Sequence, residues 1–167
     1  SKAGRRIMIQ KLHHAAYRCR DSEETRQFYE DFLGLHLTQA FEITTTATGN
    51  QTEVLHTFYA LEDGSSLAFF EAPRQPFYFK VQHDFDLHIA LEVSRDVLLE
   101  RFNTGQRSGI ETRGITDHGF IESIYFRDPN GYVIELTAKK GNVFADEASA
   151  RDALNAWQSS KNDSRYQ

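Results

Sequence analysis

The sequence predicts an α+β fold of two βαβββ modules on one curved mixed sheet, and three observations carry that expectation. The pattern His14-Ala15-Ala16-Tyr17 returns as His88-Ile89-Ala90-Leu91, 74 residues on, each time opening a strand-like run. A capped helical stretch follows each run: Asp21 with Glu24 opens one, and Ser94 opens the other. A β-hairpin built on Asp128-Pro129-Asn130-Gly131 closes the second half, with Pro and Gly where a tight turn wants them. At 167 residues and 19.2 kDa the chain suits one compact domain.

Residues 1–8 are an N-terminal extension without an assigned element, polar through Arg6, and the first module spans 9–72. Its opening strand covers 12–19. Thr25, Phe28, Tyr29, Phe32 and Leu33 then recur at helical spacing until Gly34 closes the helix. A strand over 35–41, a polar Thr-containing loop over 44–51, and strands over 54–61 and 65–72 around Glu62-Asp63-Gly64 complete the module. A linker, 73–85, holds two of the chain's three prolines and the aromatic run Phe77-Tyr78-Phe79. The second module, 86–138, repeats the order: a strand over 86–93, a helix from Ser94 through Phe102 ended by Gly105 and Gly109, a strand near Glu111, and the hairpin. Alternation puts Ile124, Phe126, Ile134 and Leu136 on one face of that hairpin, with Tyr125 and Glu135 on the other. In 139–167, Ala150, Ala153, Leu154 and Trp157 mark a terminal amphipathic helix that docks on the domain or on a partner subunit.

Charge and composition narrow the partners. A net charge of −5 and a pI near 5.8 leave no basic footprint for nucleic acid or for an anionic membrane surface. Cys19, the single cysteine, excludes an internal disulfide and a cysteine-rich zinc site and suits a reducing cytoplasm. No apolar run is long enough to span a bilayer, so a soluble cytoplasmic protein acting on small molecules is expected.

Strand period then selects a candidate metal site. Ile89, Leu91 and Val93 form the side that packs on a helix, leaving His88, Ala90 and Glu92 opposite; Ala15, Tyr17 and Cys19 likewise leave His14, Ala16 and Arg18. His13 points with the helix-packed side. Paired modules would bring His14, His88 and Glu135 together from three strands, the donor set of a two-histidine, one-carboxylate centre. His36, His56 and His83 have no repeat-equivalent partner and read as structural or surface residues.

Over residues 9–138 these features resemble the vicinal oxygen chelate superfamily. The matching residues are His14 ahead of Asp21, Phe28-Tyr29 followed by Leu33-Gly34-Leu35, His88-Ile89-Ala90-Leu91, and Tyr125-Phe126 through Asp128-Pro129-Asn130-Gly131 to Glu135. The resemblance implies a cupped, barrel-like mixed sheet with helices outside. It also implies a divalent ion held at His14, His88 and Glu135, a substrate with vicinal oxygens, and a homodimer.

Within that superfamily, Tyr125 and Asp117-His118-Gly119 resemble the substrate-facing elements of extradiol ring-cleaving dioxygenases, implying Fe(II) with Tyr125 and His118 as catalytic residues. Near Ser65, where those enzymes keep an acid-base histidine, this chain has none. Glu71 stands seventeen residues before His88, similar to a fourth ligand of glyoxalase I, a lyase that would use Zn(II) or Ni(II); Mn(II) also suits such sites. The further alternatives are a non-catalytic binding protein of the bleomycin-resistance type and, less favoured because cationic residues for a phosphonate are not evident downstream of Glu135, a fosfomycin-resistance protein.

Overall fold

The computed structural model describes residues 6–142 and 145–161. Two four-stranded mixed sheets, one per module, make a cupped α+β fold of βαβββ units, and the cup is not closed into a barrel. In the first sheet, β1 (His14–Arg18) lies parallel to β4 (Ser66–Glu71), which continues antiparallel to β3 (Gln51–Ala60) and β2 (His36–Thr45). The second sheet repeats the order with β5 (His88–Glu92), β8 (Val133–Lys139), β7 (Ile121–Arg127) and β6 (Thr112–Asp117). Both first strands are therefore edge strands.

The helices lie where their caps predict. Asp21 accepts the Glu24 N–H at 2.8 Å to start α1 (Ser22–Arg26), which widens into π-type turns over Gln27–Phe32 and buries Phe28, Tyr29 and Phe32. Ser94 caps α2 (Arg95–Arg107), which runs past the expected end at Phe102. Gly105 lies inside α2 and does not terminate it. A Cβ there would stand 2.6 Å from Thr112 Oγ1 and 2.7 Å from the Phe126 ring, so glycine is what lets α2 press on the sheet. The terminal helix, α3 (Glu147–Ser160), forms as expected, but none of its residues is buried against the chain.

The two cores meet at the hairpin turn. Phe126 packs edge-on against Phe32 with ring centroids 5.0 Å apart, and Tyr132 lies 5.7 Å from Tyr17. Asp128 is buried between the modules and accepts from Tyr29 Oη at 2.7 Å, Asn130 N and Tyr132 N at 2.8 Å, and Asn130 Nδ2 at 3.1 Å. The linker is pinned to the same turn: Gln82 N–H reaches Gly131 O at 3.0 Å, and a Cβ on Gly131 would collide with Lys80 O. Among the described residues no helix is long and apolar enough to cross a membrane.

Candidate metal centre

One row of side chains crosses the second sheet on its solvent-facing side. Register pairs Ala90 with Glu135, Glu135 with Tyr125, and Tyr125 with Arg113. The opposite phase, Ile124, Phe126, Ile134 and Leu136, is core. Glu135 is only 6% exposed, and a carboxylate this buried costs several kcal/mol unless its charge is met. Oε2 accepts the Ser123 hydroxyl at 2.7 Å, and Oε1 stands 3.3 Å from His88 Nε2.

His88 is oriented from behind. Its Nδ1 donates to the Asp84 carbonyl at 2.6 Å, so in the neutral ring Nε2 carries the lone pair that faces Glu135. Two lone-pair atoms facing each other repel, a cost that a cation held between them would remove. A separation of 3.3 Å is also what two ligands about 2.1 Å from one shared ion would have. The donor types, the fixed tautomer and the anchored carboxylate fit a divalent metal.

Tyr125 and His118 stand beside this pair. Tyr125 Oη and His118 Nε2 share a 2.8 Å hydrogen bond, and the Arg113 guanidinium lies 5.1 Å above the tyrosine ring. Burial, and then the Glu135 charge, push the Tyr125 phenol above its ordinary value, so it is protonated at neutral pH. His118 follows β6 in a turn tied by Asp117, which accepts Gly119 N–H at 2.8 Å and pairs with Lys140 at 2.7 Å.

Two expected ligands are placed differently. His14 has the expected strand phase, opposite Ala15 and Tyr17, but it belongs to the other sheet, where its ring meets Phe58. Among the described residues no three His, Cys, Asp or Glu side chains come together as a metal cluster, and of the three expected ligands one chain brings His88 and Glu135 together. His13 is exposed, and its Nδ1 lies 2.8 Å from that of His14.

Glu71 stands apart from this pair. It shares the phase of Phe69 and Leu67, which are core, and its carboxylate accepts the Ser22 N–H at the start of α1. The four-ligand set is not assembled.

Sequence reasoning missed Ser123, Asp84 and Arg113. Ser123 lies two residues before Tyr125 and so was readable by period two. Asp84 sits in the linker, where no period operates, and Arg113 on a strand whose phase the sequence left open.

The sequence profile described as the glyoxalase/bleomycin resistance protein/dioxygenase superfamily matches residues 11–136. The chain belongs to this superfamily. Every residue of the row, and His14, falls inside the matched span. Among solved superfamily structures, a glyoxalase/dioxygenase from Nostoc punctiforme is 24% identical, with 79% of this chain and 92% of that one covered at a TM-score of 0.60. The fosfomycin resistance protein FosX of Listeria monocytogenes is 18% identical, covers 80% and 96%, and scores 0.61. A FosX variant, 19% identical with 81% and 96% covered at 0.58, was crystallised with Mn(II) and 1S,2S-dihydroxypropylphosphonic acid. At these identities the likeness establishes the fold. No curated protein matches the sequence.

Proposed function

We propose that this superfamily member is a metal-dependent enzyme of the extradiol dioxygenase type, opening the ring of a catechol-like small molecule that offers two adjacent oxygens. The observation that carries the reading is the Tyr125–His118 hydrogen bond standing beside the His88–Glu135 pair on one face. His88, Glu135 and His14 would hold the ion, with Fe(II) the best match to two histidines and one carboxylate. When bound, the ion supplies positive charge to the substrate's two oxygens and, as iron, the electrons with which dioxygen reacts. Tyr125, protonated at neutral pH, donates to a substrate oxygen, and His118 is within reach to exchange that proton. The glyoxalase-like reading needs Glu71, whose carboxylate is engaged at the start of α1.

His14 reaches the site from a second copy of the chain in this reading. β1 and β5 are both edge strands, and β1 has only β4 as its strand partner among the described residues. Phe77 and Tyr78 of the linker are exposed, as a surface covered by association would be. A mixture of His14→Ala and Glu135→Ala chains tests this arrangement, because only sharing between copies rebuilds an intact centre.

The decisive experiment measures oxygen uptake with catechols on protein purified without chelator, alongside elemental analysis. Iron-dependent uptake is expected. Retention of metal with no uptake across a catechol panel would exclude the dioxygenase reading.

A further inference from the structure

The geometry points to Arg113, acting through Asp84, as the positioning residue that sets the tautomer of His88 and aims its Nε2 at Glu135. The inference rests on His88 being a metal ligand, as proposed above. A neutral imidazole has one N–H, and two acceptors compete for it. The Glu135 carboxylate, 3.3 Å from Nε2, draws the proton there, where it would block a metal; the Asp84 carbonyl, 2.6 Å from Nδ1, draws it to the far side. The position of one backbone carbonyl therefore decides whether His88 presents a lone pair.

That carbonyl lies outside the sheets. Asp84 belongs to the last turn of the linker, where Phe85 N–H reaches His83 Nδ1 and Asp86 and Leu87 N–H reach His83 O. The linker is fixed upstream at Gln82, through Gly131 and Arg127, and regains a strand only at His88. Between those points the Asp84 carboxylate is held by Arg113, whose Nη2 stands 3.0 Å from Oδ1 and 3.3 Å from Oδ2.

Arg113 is itself held. It is a β6 residue in register with Tyr125, and its guanidinium lies over that ring. One side chain thus ties the turn behind His88 to the strand that carries Tyr125. Its charge is matched by Asp84, so the tether adds little net repulsion toward a dication.

Nitrogen-15 NMR of histidine-labelled, metal-free protein, taken at alkaline pH where the His88 nitrogen shifts no longer change with pH, reads the tautomer of the neutral ring directly. Wild-type His88 should show a protonated Nδ1 and a bare Nε2. In Arg113→Met the proton should distribute toward Nε2, and Mn(II) affinity should fall by roughly tenfold, as expected for loss of an outer partner, with the unfolding midpoint unchanged. Arg113→Lys keeps the charge without the planar group and should fall between the two. Asp84→Asn, which keeps the backbone carbonyl, should move the proton in the same direction and covers the case of an Arg113→Met chain that fails to fold. An unchanged His88 tautomer in a folded Arg113→Met or Asp84→Asn protein would overturn the tether. A wild-type protein that takes up no metal while Arg113→Met still moves the proton would instead remove the proposed function and leave the tether standing.

Discussion

The two modules share a frame and differ in what their solvent-facing sides carry. Strand register makes the correspondence explicit: with His14 set on His88, Ala68 falls on Glu135, Phe58 on Tyr125, His56 on Ser123, Phe70 on Thr137 and Gln39 on Arg113. On the core side both modules are apolar at matching places, with Tyr59 on Phe126, Leu67 on Ile134 and Phe69 on Leu136. On the other side, a hydrogen-bonded polar row in the second module is an aromatic patch in the first. There His56 lies flat on Phe70 at 3.7 Å between ring centroids and donates Nδ1–H to Phe69 O. Core positions are constrained by packing in both halves, whereas the outward faces are free to differ.

The same register gives Glu71 the counterpart Ala138, a core residue, and not Glu135. The largest expected effect tests this directly. Glu135→Ala should weaken metal binding by well over the ~100-fold that the most important outer partners can cost, whereas Glu71→Ala should change it by no more than a few-fold. Competition with a chromogenic chelator measures both. Equal losses would break the correspondence between the modules.

The turns sharpen the comparison next. Both hairpins use an aspartate that accepts from the residue two positions on: Asp63 from Ser65 N at 2.9 Å, and Asp128 from Asn130 N at 2.8 Å. The first is exposed, and the second is buried under Tyr29 with three further donors. Asp128→Ala strands buried donors and should cost about 3 kcal/mol in urea unfolding. Asp63→Ala, whose donors can turn to water, should cost far less. Similar losses would show that burial at the module junction is not what distinguishes the two turns.

The sequence carried the module frame because period two and helix caps are local, and both report on the core. It carried Glu135 and Tyr125 for the same reason: a charge and a polar ring in phase with each other, between residues that must be buried, have one face left to occupy. Glu71 stayed open in the sequence because similarity of spacing ignores strand phase, and phase is set by the β1–β4 register, which is a long-range pairing. The edge position of β1 and the location of His14 on a separate sheet depend on how the modules are joined, and no local period encodes that. Asp84 was hidden for a different reason. Its contribution to the site is a backbone carbonyl, which every residue has.

The smallest expected effect is a pH slope, and its sign separates two opposing forces at the module junction. Burial, the largest influence on Asp128, raises its pKa above the ordinary 3.8, against the lowering effect of its hydrogen bonds to Tyr29, Tyr132 and Asn130. A folded-state pKa above the unfolded value means that the native chain holds more protons between the two, so stability falls as pH rises through that window. Asp63 in the exposed turn is shifted the other way, first by its bond to the Ser65 hydroxyl, so its contribution grows with pH below the ordinary aspartate value. Wild-type stability alone mixes the two. Subtracting the profile of Asp128→Asn isolates the junction: the wild-type advantage should be greatest in acid and shrink as pH climbs past about 4, by less than ~1.4 kcal/mol per pH unit. Urea unfolding of both proteins from pH 3 to 7 measures it. An advantage that grows with pH would mean that the four hydrogen bonds outweigh burial, leaving Asp128 the same kind of aspartate as Asp63.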